Sequence, residues 1–230
     1  MTSPARKVSR LPPEQRITDI TRAARSVFAE QGYDAASVAV IAERAGVVEG
    51  SVYRYFENKR ALLVRVVEQW YEEMLADYDE HLKAIDGTWN RLRYTVWKHL
   101  SVIENDPAMC RLVFAEIRPR PEYQETHVFA LNREYTKRTV AILKAGIAAG
   151  ELRSDLPVGL VRDMIYGGIE HHTWAFLRGS GRFSADTACD DILRILRGGL
   201  TAEAPTPAGS GGSKEERGPR ASRSARRKPR

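Results

Sequence analysis

The apolar residues between positions 13 and 200 recur at the three- and four-residue spacing of helices, and no stretch alternates as a half-buried strand would. The first of these stripes begins near Pro13 and stops before Gly32, which predicts a helix from Pro13 to Gln31. Its apolar or small members are Ile17, Ile20, Ala24, Val27 and Phe28. Because similar stripes follow along the chain, we predict an all-α fold of about nine helices.

Two short helices joined by a glycine turn follow this first helix. Ser37 is a suitable N-cap for the second helix, and Gly46 is a suitable stop. After a break of three or four residues, a third helix of barely two turns is predicted from about Gly50 to Phe56, and Asn58 can cap a long fourth helix. This arrangement is typical of a helix-turn-helix, the motif that places its second helix in the major groove of DNA.

The third helix carries polar and aromatic side chains on its outer face. It is too short to be stable alone, so we expect its outer residues to contact a partner. Tyrosine hydroxyls and the cations of Arg and Lys can donate hydrogen bonds to DNA phosphates. Ser51 and Arg54 are placed to reach base edges. Lys59 lies at the positive end of the fourth helix, where a phosphate would offset its unfavourable position. For Tyr53 and Tyr55, packing in the core is the alternative.

The charge of the chain is unevenly distributed. Residues 1–60 carry a net charge of +3, residues 61–212 of −3, and residues 213–230 of +6. We therefore expect the N-terminal segment, rather than the middle, to meet phosphate. Because the end of the chain is rich in Pro, Gly, Ser and Arg, residues 202–230 are predicted to be a disordered basic tail, and residues 1–12 a flexible N-terminal arm.

Between these ends we expect two domains. Residues 13–58 are predicted to form a helix-turn-helix DNA-binding domain, and residues 59–201 a ligand-binding and dimerisation domain. The last two long helices, at about 157–178 and 184–200, are apolar on more than one stripe. A helix with two apolar faces needs two partners, so one face is expected to meet its own domain and the other a second copy of the chain, giving a homodimer. A central helix buried in a monomer is the alternative.

Aromatic side chains are frequent in this second region. They suit a cavity for a small apolar effector, and they suit an ordinary core equally well. The aromatic candidates for a ligand pocket are Trp89, Trp97, Phe114, Phe129, Tyr166 and Trp174.

Catalysis and metal binding have little support in the sequence. His171 and His172 are adjacent, point about 100° apart on a helix and do not form a two-histidine metal face. No Gly-rich phosphate loop or activated nucleophile is present, and Cys110 and Cys189 stand alone as expected buried thiols. The N-terminus lacks a secretory signal and no segment reaches the roughly 18 apolar residues of a membrane span. We expect a cytoplasmic protein that is not an enzyme, with no cofactor, no metal and no membrane contact.

The segment SVAVIAERAGVVEGSVYRYFENKRALL, residues 37–63, carries a specific set of residues at a specific spacing. The set is Ser37, Ile41, Ala42, Ala45, Gly46, Val47, Tyr53, Tyr55, Phe56, Lys59 and Leu62. Over residues 14–63 the chain resembles the DNA-binding domain of the TetR family of transcriptional regulators. The resemblance implies an all-helical homodimer in which three helices read DNA and about six more bind a ligand and dimerise.

Two positions depart from this family pattern. Val48 stands where a Ser is frequent, and Glu49 where a small or basic residue is frequent. Either is expected to shift the preference for an operator, and Glu49 to weaken a phosphate contact. The candidate DNA contacts are Ser37, Val48, Glu49, Gly50, Ser51, Tyr53, Arg54, Tyr55 and Lys59.

A second stretch, which begins AEIRPRPEYQETHVFALNREY and spans residues 115–172, is similar to a TetR subgroup, the acyl-CoA-responsive repressors of fatty-acid degradation. This similarity implies an acyl-CoA or another apolar ligand as the effector. Arginines would then serve its phosphate or carboxylate head group, and solvated surface arginines are the alternative. The polar candidates for the pocket are Arg93, Arg118, Arg120, Arg133 and Glu170.

The hypothesis from the sequence is a sequence-specific DNA-binding regulator, a ligand-responsive repressor that binds palindromic double-stranded DNA as a homodimer. Two alternatives remain at this point. One is a sequence-indifferent DNA-binding protein driven by the basic tail. The other is a module that sequesters a lipid or acyl ligand.

Overall fold

The computed structural model describes residues 12–201, and within that range the chain forms nine α-helices and no strand. The prediction of an all-α fold with about nine helices is therefore confirmed. The predicted arm and tail, residues 1–12 and 202–230, lie outside the described residues except for Pro12. The helices are α1 Pro13–Ala35, α2 Val38–Arg44, α3 Glu49–Tyr53, α4 Lys59–Lys83, α5 Thr88–Asn105, α6 Pro107–Leu112, α7 His127–Ala148, α8 Val158–Leu177 and α9 Ala185–Leu200.

The first three helices pack as the sequence predicts. The Ser37 hydroxyl accepts a hydrogen bond from the Val40 amide at 3.2 Å and caps α2, and Asn58 Oδ1 accepts from the Ala61 amide at 2.8 Å and caps α4. Gly46 has a φ of 66°, which lets the chain turn sharply between α2 and α3. The buried core of this head includes Ile20, Ala24, Val27, Phe28, Ile41 and Val52.

The predicted end of the first helix before Gly32 coincides with a kink, because Gly32 takes non-helical angles (φ 76°, ψ 173°) that separate this helix from a last turn to Ala35. Two other helix boundaries differ from the expectation. Helix α3 ends at Tyr53 instead of Phe56. Helix α7 begins at His127, four residues later than the expected start at Tyr123, because residues 121–125 form a separate 3₁₀ turn and Thr126 caps the helix at 3.2 Å.

The second part of the chain is a layered helical bundle. Helix α4 runs from the head into this bundle and packs against α7, while α5 lies between α7 and α9, and α8 packs on α7. Directly after α6, residues Val113–Ile117 form one π-helical turn, a local widening that is frequent at functional sites. This turn brings Val113 into the core and leads into Arg118.

Helices α8 and α9 leave large apolar side chains on the surface, as expected from their double apolar stripes. Met164 is 66% exposed and Ile195 is 75% exposed, and Leu160 and Trp174 are also exposed. Their opposite faces are buried through Val161, Ile165, Ile169, Cys189 and Leu193. One face of each helix is therefore left without an apolar partner in a single chain. None of the helices in the described range has the length and apolarity that a bilayer crossing requires.

Candidate functional site

The outward face of α3 presents a small polar and apolar surface. Val48 is 75% exposed and Tyr53 is 49% exposed, and Glu49, Gly50 and Arg54 are exposed beside them. The helix is held by the buried side chains of Val52 and Phe56 on its other face. Within residues 12–201 the Arg54 guanidinium has no ion-pair or hydrogen-bond partner, so all its donors are available to a ligand.

Three of the other candidate DNA contacts are less exposed or already engaged. Ser51 and Tyr55 are half-buried, and the Tyr55 ring packs against the core of the head. Ser37 is exposed, but its hydroxyl oxygen accepts the capping hydrogen bond of α2. The Tyr55 side chain is therefore partly in the core, and part of it reaches the surface.

The surroundings of Lys59 differ from those expected. Its ammonium donates to the backbone carbonyls of Tyr33 at 2.8 Å, Ala36 at 3.0 Å and Asp34 at 3.2 Å, and it lies 4.5 Å from the centre of the Tyr33 ring. These carbonyls belong to the negative end of α1, which offsets the unfavourable position of a cation at the start of α4. All three N–H donors are used, so the geometry favours a role in holding α1 on α4.

Arg60, the next residue, was not singled out in the sequence. Its Nη1 atom is buried and has no hydrogen-bond partner among the residues described. An adjacent pair of cations at the start of α4 is visible in the sequence, but only the fold shows that Lys59 is saturated and that Arg60 retains an unused donor.

A cavity of about 450 Å³ lies in the second part of the chain, between α4, α5, the π-helical turn, α7 and α8. Six of the eleven pocket candidates line it: Phe114, Arg118, Phe129, Arg133, Tyr166 and Glu170. The sequence missed several other lining residues, namely Trp70, Tyr71, Met74, His99, Cys110, Asn132, Tyr135, Thr136 and Arg162. Helical spacing identifies some of these as inward-facing, but it does not separate a cavity wall from a filled core.

The other five candidates do not line this cavity, because four of them lie on faces of α5 and α8 that meet other neighbours and the fifth follows the π-helical turn. Trp89 lies under the Arg197 guanidinium at 4.7 Å, and Trp97 donates its indole N–H to Asp186 at 2.9 Å on the far side of α5. Arg93 pairs with Asp190 of α9. Trp174 is exposed on α8. Arg120, the further head-group candidate, is also absent from the wall and pairs weakly with Glu116 at 3.8 Å.

Arginines are concentrated where the cavity wall reaches solvent. Arg118 donates to Glu170 at 2.8 Å and lies 5.1 Å from the centre of the Phe114 ring. Arg133 is exposed, and Arg162 donates to Asp163 at 2.8 Å. Three guanidinium groups thus face two carboxylates, which leaves this rim, hereafter the arginine rim, with a net positive charge suited to an anionic group.

The inner end of the cavity is apolar and aromatic. Ile103, Cys110 and Val113 are buried there, and burial raises the pKa of the Cys110 thiol to about 12. Burial lowers the pKa of His99 to about 4, with a smaller contribution from the positive charge of Arg118, so the imidazole is neutral at pH 7. An elongated ligand with an apolar body and an anionic end matches this gradient from the arginine rim to the inner wall.

A chain of contacts connects the cavity to the head. Arg25 of α1 donates to Glu73 of α4 at 2.8 Å and to Asp106 at 3.0 Å. Asp106 also accepts from the Met109 amide at 3.3 Å and so caps α6, the helix that carries Cys110 to the cavity wall. A shift of α6 would therefore act on the position of α1 through Arg25.

The exposed faces of α8 and α9 meet in an apolar groove of about 300 Å³. Its floor and walls include Met164, Gly168 and Ile169 of α8, and Ile192, Ile195 and Leu196 of α9. His172 and Asp191 are the polar residues at its edge. In the part of the chain that the structure covers, no group of three or more His, Cys, Asp or Glu side chains is arranged to hold a metal ion.

The sequence matches known proteins along nearly the whole described range. The family model for "Bacterial regulatory proteins, tetR family" matches residues 20–66, and the model for "Tetracyclin repressor-like, C-terminal domain" matches residues 86–200. The chain is 26% identical to the fatty acid metabolism regulator protein of Bacillus subtilis (strain 168), over 79% of this chain and 93% of that protein. It is 28% identical to the HTH-type transcriptional repressor KstR2 of Mycolicibacterium smegmatis, over 82% of this chain and 92% of that protein.

A solved structure shares the fold. The transcriptional regulator FadR from Bacillus subtilis, crystallised in complex with stearoyl-CoA, matches with a TM-score of 0.69 at 27% identity, over 78% of this chain and 96% of that chain. Together with the helix-turn-helix head and the helical bundle behind it, these matches show that the chain belongs to the TetR family of bacterial regulatory proteins and is a DNA-binding transcriptional regulator.

Proposed function

We propose that this regulator is a repressor that binds a palindromic operator as a homodimer and leaves it when an anionic apolar effector fills the cavity. In this proposal residues 13–58 form the DNA-binding domain and residues 59–201 bind the ligand and dimerise. The observation that carries it is the cavity of about 450 Å³ with its arginine rim, connected through α6, Asp106 and Arg25 to the helices that present α3.

The DNA half of the proposal rests on the outward face of α3. Arg54 has unpaired donors for a base edge or a phosphate, and Tyr53 is placed beside it. Val48, in place of the more frequent Ser, offers an exposed apolar side chain that suits contact with a thymine methyl group. Lys59, in contrast, is proposed to position α1 and α4.

The homodimer is proposed to form through α8 and α9. Their apolar groove and the exposed Met164 and Ile195 side chains supply a self-complementary surface, since a two-fold axis would place the same residues on both sides. In such a dimer the two copies of α3 would have to lie about one DNA turn, ~34 Å, apart, which is the spacing of palindromic half-sites.

The effector is proposed to be an acyl-CoA or a similar anionic apolar molecule. The cavity volume is in the range of sites for drug-sized ligands, and its wall changes from charged at the arginine rim to apolar inside. The structure of a relative with stearoyl-CoA supports this class of ligand. The effector would favour a state in which the two copies of α3 no longer fit one face of DNA, and its differential affinity for that state would set the loss of DNA affinity.

Replacing Arg54 with Ala is expected to lower operator affinity about 10- to 100-fold, because one bidentate contact to a base edge is worth about 1–3 kcal/mol. The operator would first be selected from random double-stranded DNA, and the affinities of both proteins for it would then be measured by fluorescence anisotropy at several salt concentrations. Arg182→Ala, which removes an exposed cation between α8 and α9, is the control for net charge and is expected to bind as the wild type does.

The selection also separates this proposal from the two alternatives. A shortened chain ending at Leu200 is expected to retain the same preferred sequence. No enriched sequence, together with loss of all binding in the shortened chain, would support the sequence-indifferent alternative. Tight binding of stearoyl-CoA with no DNA binding at any salt concentration would support the sequestering alternative.

Replacing Arg118 with Ala is expected to weaken stearoyl-CoA binding roughly tenfold, because a hydrogen bond between charged groups is worth about 1.5–3 kcal/mol and Glu170 already competes for this guanidinium. Isothermal titration calorimetry with the full chain measures the change. Arg120→Ala is the matched control, since Arg120 is exposed, lies two residues away and does not line the cavity. Equal losses in both variants would contradict the assigned role of Arg118.

A further inference from the structure

The hydroxyl of Tyr135 is an exception in a cluster of three tyrosines. The Tyr135 ring lies with its centre 5.6 Å from that of Tyr78 and 6.1 Å from that of Tyr166. The Tyr78 hydroxyl bonds Thr95, and the Tyr166 hydroxyl bonds Thr139 at 2.9 Å. The Tyr135 hydroxyl is buried and has no hydrogen-bond partner within residues 12–201, although the residue lines the cavity and is only 2% exposed.

A buried hydroxyl without a partner is unfavourable, and phenylalanine would fill the same space without that cost. The hydroxyls of Tyr78 and Tyr166 each hydrogen-bond a threonine, whereas no such partner lies beside the Tyr135 hydroxyl. The unpaired Tyr135 hydroxyl is unfavourable in the ligand-free protein. Because Tyr135 lines the cavity, a ligand that supplies the missing partner would explain why a tyrosine stands there.

His99 is in a similar state beside it. Its ring centre lies 5.7 Å from that of Tyr135 and 4.9 Å from that of Tyr166, and in the described part of the chain its ring nitrogens have no hydrogen-bond partner. The side chain keeps some accessible surface, which the cavity provides. Because burial keeps the imidazole neutral at pH 7, one ring nitrogen can donate and the other can accept.

From this pair of unsatisfied groups, and on the basis of the function proposed above, we infer that the effector carries a hydroxyl or carbonyl oxygen on its apolar body, which hydrogen-bonds the Tyr135 hydroxyl and the His99 imidazole at the inner end of the cavity. The anionic end of the same molecule meets Arg118 and Arg133 at the arginine rim.

This arrangement selects against a saturated hydrocarbon chain. A saturated chain would fill the cavity and leave the Tyr135 hydroxyl and the His99 imidazole without a hydrogen-bond partner. An oxygenated ligand supplies one. The arginine rim contacts only the anionic end and would bind all such ligands equally well. The inner end of the cavity therefore distinguishes the oxygenated ligands from the unoxygenated ones.

The test uses the full chain and two pairs of defined probes. The first pair is stearoyl-CoA and a series of stearoyl-CoAs that carry one hydroxyl or keto group at successive carbons. The second is the CoA thioester of a sterol acid with and without a ring ketone. We expect at least one oxygenated probe to bind with about a tenfold lower Kd than its unoxygenated partner, as measured by calorimetry. The pair that shows this preference identifies whether the oxygen stands on a chain or on a ring.

Tyr135→Phe is expected to reduce this preference to less than about twofold while stearoyl-CoA binding is retained, and His99→Phe to reduce it in the same direction. Tyr78→Phe is the matched control, because it removes a buried hydroxyl of the same cluster that already has a partner and does not line the cavity. Tyr78→Phe is expected to keep the preference and to lower the Tm by about 2–4 °C, whereas Tyr135→Phe is expected not to lower the Tm.

Equal Kd values for the oxygenated and unoxygenated members of both pairs would overturn this inference and leave the proposed function intact. A preference that survives Tyr135→Phe would overturn it as well. Failure of every CoA thioester to bind the wild-type chain would remove the proposed effector class, and this inference with it.

Discussion

The Ile195→Asp variant is expected to be a monomer that has lost at least about a hundredfold in operator affinity. Ile195 is 75% exposed in the single chain and lies in the apolar groove of α8 and α9, where the second copy is proposed to pack. A carboxylate at that position would be buried against a largely apolar groove in the proposed dimer. The effective cost of burying such a charge is several kcal/mol per ion, and two-fold symmetry introduces it twice.

Loss of the dimer would act on DNA binding because one α3 then meets only one half-site. A drop of about 3 kcal/mol or more corresponds to the expected factor of at least roughly a hundred. Sedimentation velocity would give the oligomeric state, and fluorescence anisotropy on the selected operator would give the affinity.

Ala141→Asp is the matched control. Ala141 is exposed on α7, so the substitution adds the same carboxylate to a helix surface outside the groove. This control is expected to remain a dimer with wild-type affinity. A dimeric Ile195→Asp protein with unchanged affinity would rule out the α8 and α9 interface.

Acidification from pH 7 to pH 5 is expected to destabilise the wild-type protein by about 2 kcal/mol through His99 alone. Burial among Tyr135 and Tyr166, and the nearby charge of Arg118, lower the pKa of His99 from 6.5 to about 4 in the folded protein. Between these two values the unfolded chain binds a proton that the folded protein does not. The decrease that His99 causes in the free energy of unfolding is therefore absent well above pH 6.5. It grows as the pH falls towards 4 and is constant below that.

The His99→Phe variant is expected to lack this part of the pH dependence, because it places an apolar ring between the same neighbours and removes the titrating group. Urea unfolding at one fixed protein concentration, at pH 7 and pH 5, would measure the free energy of unfolding of both proteins. Carboxylates such as Asp77 and Asp79 also titrate, since ion pairs with Lys98 and Arg138 lower their pKa values, but they are present in both proteins. The same decrease in both proteins would contradict the assigned state of His99.

Local features of the sequence were good predictors of the head. Ser37, Gly46 and Asn58 were recognised as caps and a stop because their chemistry acts on the backbone within three or four residues. Gly32 likewise interrupts the first helix where the sequence predicts its end, and the sequence gives no sign of the further turn to Ala35. The role of Lys59 was also hidden, since its three carbonyl partners lie more than twenty residues away in the chain.

The cavity shows the limit of such reasoning most clearly. Six of eleven candidates line it, whereas the other five meet other neighbours or solvent. An aromatic or an arginine has the same helical spacing whether it borders a void, a filled core or solvent. The unsatisfied state of Tyr135 is likewise invisible in the sequence, where it stands as one tyrosine among nine.

The sequence by itself determined the all-helical class, the helix-turn-helix, the family and the two apolar faces of α8 and α9, because each of these depends on residue types at short, regular spacings. Only the tertiary structure decided which cation remains available on the head, which side chains enclose the cavity and which buried hydroxyls lack a partner. Those properties depend on distances between helices far apart in the chain, and a side chain's free donors are known only when all its neighbours are in place.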